Sequence, residues 1–63
     1  MTEEEKLNLV LQYGSENGWK ESDLVQLSDG HHPEAVNDLC EAILSGKEVS
    51  PELARHCVIY SDD

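Results

Sequence analysis

From Pro33 to Tyr60, apolar residues return every three or four positions on both sides of a break at Gly46–Ser50. At that spacing Val36, Leu39, Cys40, Ile43 and Leu44 share one face of a helix, and Leu53, Ala54, Cys57 and Val58 share one face of another. Helices this short are not stable alone in water and need their apolar faces covered. The nearest cover for each is the other, so the stretch predicts an antiparallel helical hairpin around which the chain is organised. His31-His32-Pro33-Glu34 opens its first helix, since proline suits the first helical position and an acid suits the first turn. Gly46 ends that helix. In Val49-Ser50-Pro51-Glu52, Ser50 is placed to cap the second helix and Val49 to staple against Ala54. That helix is expected to run to about Tyr60 and fray at Ser61-Asp62-Asp63. A centre of folding between Glu48 and Val49 sets Leu44 level with Leu53, Ile43 with Ala54, Leu39 with Val58 and Cys40 with Cys57. Helix axes pack about 8–10 Å apart, so the two thiols are expected to act as small hydrophobes rather than as a disulfide.

The N-terminal half supplies the rest. Thr2 followed by Glu5 is a capping-box pattern, Leu7, Val10 and Leu11 form a stripe, and Gly14 is placed as a C-terminal cap. Leu9 and Tyr13 lie off that stripe, so the first helix is apolar over a wider arc than one small core requires. Ser15–Gly18 reads as a connection, and Trp19 is expected to plug one end of the core rather than serve as a binding hot spot. Ser22 is placed to cap a short helix carrying Leu24, Val25 and Leu27, which begins as early as Lys20 and stops at Asp29-Gly30. The expected fold is all-α: residues 1–63 form a single domain, a small bundle of three or four short helices built on the C-terminal hairpin.

Charge narrows the function. The chain has 14 acidic residues against 4 basic ones, a formal net charge of -10. That field repels phosphates and anionic lipid heads, so direct nucleic acid or membrane binding is not expected, and a helix-turn-helix reader lacks its lysines and arginines. A start of Met1-Thr2-Glu3-Glu4-Glu5 lacks the pattern of a signal peptide, no apolar run approaches the length of a membrane span, and two cysteines suit reduced thiols. The expected location is cytoplasmic.

His31, His32, Cys40, His56 and Cys57 include all the soft metal ligands, yet they form no CxxC or HxxxH pair, and neighbouring ligands diverge on a helix. No metal site and no cofactor is expected. His31 and His32 are read as turn and cap residues, and His56 as a surface residue. No nucleophile elbow, phosphate loop or paired-carboxylate pocket is recognisable, and so thin a chain has little room for a water-excluding cleft, so no enzymatic activity is expected.

Two readings of the acidic surface remain. In one, the protein is a regulatory interaction module steered toward a partner with a basic surface. In the other, it is a DNA mimic that places carboxylates at phosphate-like positions to inhibit a nucleic-acid-binding protein. The candidate protein-contact residues are Leu9, Tyr13, Ile59 and Tyr60, each beside rather than within a main stripe. That surplus, together with the thin core of a 63-residue chain, favours a homodimer. The acidic MTEEE start, the capped helices and the length resemble small acidic accessory proteins from the early regions of lambda-like temperate bacteriophages. The likeness implies binding to host or phage regulators, and it assigns no site residues.

Overall fold

The computed structural model describes the backbone of residues 1–61 and the side-chain surroundings of residues 1–59. The described residues form four helices and no strand: α1 (Glu3–Glu16), α2 (Glu21–Ser28), α3 (Pro33–Leu44) and α4 (Pro51–Ser61). Their main contacts close a ring in which α1 packs on α3, α3 on α4, α4 on α2 and α2 on α1. The α3–α4 hairpin is thus one side of the bundle, and the α1–α3 contact is more extensive than the hairpin's own. A Cα radius of gyration of 10.2 Å is close to the value of about 11 Å expected for a compact domain of this length.

The helix ends follow local chemistry. Thr2 Oγ1 accepts from the Glu5 backbone N–H at 3.2 Å and donates to Glu5 Oε1 at 3.2 Å. Ser50 Oγ accepts from the Leu53 N–H at 3.2 Å, and Pro51 is the first residue of α4. After α3, Gly46 takes a φ of +78°. Its N–H donates to Ile43 and that of Lys47 to Ala42, both at 3.0 Å, which satisfies carbonyls the helix leaves open. The expected fraying concerns Ser61, the last residue of α4, and Asp62 and Asp63, which lie outside the described residues.

Gly14 is not the cap of α1. The helix continues through it to Glu16 and closes at Asn17-Gly18, where Gly18 has a φ of +75° and the Trp19 N–H donates to Gly14 O at 2.9 Å. Gly14 is buried because Trp19 and Leu24 lie against it: a Cβ there would stand 2.6 Å from Trp19 Cε3 and 2.7 Å from Leu24 Cδ2. The glycine therefore provides close approach, and the turn falls to Gly18. Ser22 likewise does not cap α2, whose cap residue is Lys20 with no side-chain hydrogen bond.

Val10, Trp19, Leu27, Ala35, Val36, Leu39, Cys40, Val49, Ala54 and Val58 form the core. Trp19 is buried in it, with Nε1 lacking a hydrogen-bond partner among the described residues. The hairpin seam is narrower than its stripes. Leu39, Cys40, Ala54 and Val58 are buried, but Leu44 is 61% exposed and Leu53 is 39% exposed, so the expected Leu44–Leu53 level is not part of the core. Leu44 is the last residue of α3 and lies well round the helix from Leu39, at 100° per residue. Cys40 and Cys57 are unbridged, the first buried and the second half-buried. The Cys40 thiol meets Met1 Sδ at 3.7 Å.

Candidate functional site

An open cleft of about 630 Å³ lies where the first turns of α1 and α3 meet the end of α2. Its apolar lining is Leu7 from α1, Leu27 from α2, and Pro33 and Val36 from α3. Around that surface stand four carboxylates: Glu3 and Glu4 from α1, Glu34 and Asp38 from α3. Gly30, His32, Lys6 and Asn37 complete the wall. A cleft of this volume was not expected from so thin a chain. It lies where Leu7 of α1, Leu27 of α2 and Val36 of α3 come together.

Lys6 Nζ donates to Asn37 Oδ1 at 2.7 Å, so the one lysine of the cleft is held by a neutral amide rather than by a carboxylate. Asn37 is half-buried. Among the described residues the only salt bridge is Arg55–Asp23, and it lies outside the cleft. Glu3, Glu4, Glu34 and Asp38 therefore have no ion-pair partner among the described residues. Glu3, Glu4 and Glu34 also stand in first turns, where the helix dipole stabilises an anion by about 0.3–1 kcal/mol.

The Arg55–Asp23 pair joins α4 to α2. Arg55 Nε and Nη2 donate to the two carboxylate oxygens of Asp23 at 3.2 and 3.3 Å. Asp23 is 8% exposed, while Arg55 keeps one side in water; the hydrogen bond and charge of Asp23 push the guanidinium pKa up. On α4, burial and then the Asp38 carboxylate push the Cys57 thiol up from its ordinary value.

The sequence-predicted contact residues differ in exposure. Leu9 and Tyr13 are half-buried and packed against the core. Tyr13 is engaged within the chain: its hydroxyl accepts from the Val49 N–H at 3.2 Å, and its ring meets Trp19 edge-on, with centroids 5.9 Å apart. Ile59 is 67% exposed, and the side chain of Tyr60 lies outside the described residues. None of the cleft acids was gathered into a site from the sequence; the signal for them is that Glu3-Glu4 and Glu34 both open helices.

His31 and His56 are exposed, whereas His32 is buried as the cap residue of α3. Among the described residues no three histidine, cysteine, aspartate or glutamate side chains are grouped to hold a metal ion, and no helix is long and apolar enough to cross a membrane. No protein-family model, curated protein or solved structure matches the chain.

Proposed function

We propose that this chain is a small acidic regulatory protein, without enzymatic activity, that works by contact with a protein partner bearing a basic surface. The observation that carries this reading is the charge the fold leaves unpaired: 14 acids against 4 bases, with a single salt bridge among the described residues. Such a field speeds encounter with a cationic surface and repels anionic ones. The cleft supports protein contact over nucleic acid mimicry, because its carboxylates surround an apolar floor that has no counterpart in a phosphate backbone. Its lining offers no serine, threonine or cysteine nucleophile, and Lys6 is hydrogen-bonded to Asn37 within it.

Affinity capture from the cell of origin tests the reading. The chain should retain proteins with basic surfaces that survive nuclease treatment and are released as salt rises. Retention of nothing beyond what an unrelated acidic helical protein of equal charge retains would reject it.

A further inference from the structure

Resting on that reading, we infer that the cleft between the first turns of α1 and α3 is the docking site for a lysine- or arginine-bearing amphipathic segment of the partner. Two features of the cleft select this occupant together. The floor of Leu7, Leu27 and Val36 suits apolar side chains and the methylene stem of a long basic one, which lies on apolar surface while its charged head stays in water. Glu4, Glu34 and Asp38 stand at its edge without an ion-pair partner among the described residues, where that head would emerge. Lys6, whose ammonium donates to Asn37 at 2.7 Å, forms no salt bridge with them.

A second copy of this chain is a poor occupant. It brings a net charge of -10 to a surface of the same sign. A purely apolar segment would leave the carboxylates unpaired, and a purely polar cation would leave the floor wet. The cleft thus selects alternation of apolar and basic residues, which one face of an amphipathic helix or a short extended segment supplies.

The test is a 15N–1H titration of the full chain with a short peptide of alternating leucine and lysine, and with the same peptide carrying glutamine for lysine. Binding of the lysine peptide should saturate, shift the amides of Leu7, Leu27 and Val36 first, and weaken at least tenfold between low and high salt. The glutamine peptide should bind at least tenfold more weakly. A triple variant, Glu4→Gln with Glu34→Gln and Asp38→Asn, should lose at least tenfold in affinity. The charge-matched variant Glu16→Gln with Glu41→Gln and Glu48→Gln, exposed and outside the cleft, should lose less than threefold. Equal losses in the two variants, shifts spread over the whole surface, or equal binding of both peptides overturn the proposal. So does a dimer that forms through the cleft in their absence. If captured partners still bind the cleft variant as they bind the native chain, the docking site is wrong while the reading of the protein as an interaction module stands.

Discussion

Gly14 is the residue on which the N-terminal half closes. Replacing it with alanine would ordinarily favour a helix by about 1 kcal/mol. Here the added methyl meets the Trp19 ring at 2.6 Å, and that ring cannot retreat from a core it helps to fill. Forcing a methyl into a packed site costs about 1–3 kcal/mol, so Gly14→Ala should lower the urea midpoint and change the near-ultraviolet signal of Trp19. Gly18→Ala should also cost about 1–2 kcal/mol, through the left-handed backbone alone, because a Cβ at Gly18 has nothing within 4 Å. Its tryptophan signal should stay native. Cys57 allows a second prediction at this scale. Burial and Asp38 raise the folded thiol's pKa, so the folded chain holds that proton more tightly than the unfolded one. The stability this contributes is whole below the unfolded value of about pH 8.5 and is lost as pH rises from there through the higher folded value. Thermal melts of the native chain should fall more between pH 8 and pH 10 than those of Cys57→Ala.

Between elements, one tie joins distant parts of the chain. Asp23 on α2 and Arg55 on α4 are 32 residues apart in the chain, and the pair joins the side of the ring that has the least contact. Its two halves are not equivalent. Arg55→Met leaves a nearly buried carboxylate without its partner, whereas Asp23→Asn leaves a guanidinium that already faces water. Arg55→Met should therefore lower the urea midpoint more than Asp23→Asn, with helix content unchanged in both at zero denaturant; the reverse order would mean the pair is ornamental. The contrast marks what a sequence of this kind reveals. Thr2, Ser50-Pro51, Gly46 and Asp29-Gly30 act on neighbours within one turn, so the helix ends they set were legible. The hairpin's central residues were legible for the same reason, since periodicity reports a face. Leu44 was not, because a three-and-four spacing does not say where a partner helix stops covering that face. Gly14 was misread because a cap and a close approach both call for glycine, and only Trp19 distinguishes them. Asp23 and the acidic cleft depend on which helix ends meet, a property of topology that no local pattern records.

For the molecule as a whole, salt has two opposite effects, and their signs separate fold from function. The isolated chain carries a net charge of -10, and compaction brings those like charges together, which destabilises the folded state by self-repulsion. Raising ionic strength from 0.01 M to 0.15 M shortens the screening length from about 30 Å to about 8 Å, against bundle dimensions of 27 × 25 × 16 Å. Repulsion across the bundle is therefore largely removed over that interval. The favourable terms that salt also weakens are local: one ion pair among the described residues, and the first-turn acids of the four helices. Relief should dominate, so the thermal midpoint should rise with salt; a gain of about 1 kcal/mol corresponds to roughly 4–8 °C in a domain of this size. Partner binding should move the other way, because screening removes the attraction between the cleft carboxylates and a basic segment. A chain that becomes more stable while it releases its partner has its charge arranged for recognition at the expense of stability. If midpoint and affinity fall together as salt rises, the acids are stabilising the fold through first-turn contacts, and their role in recognition is secondary.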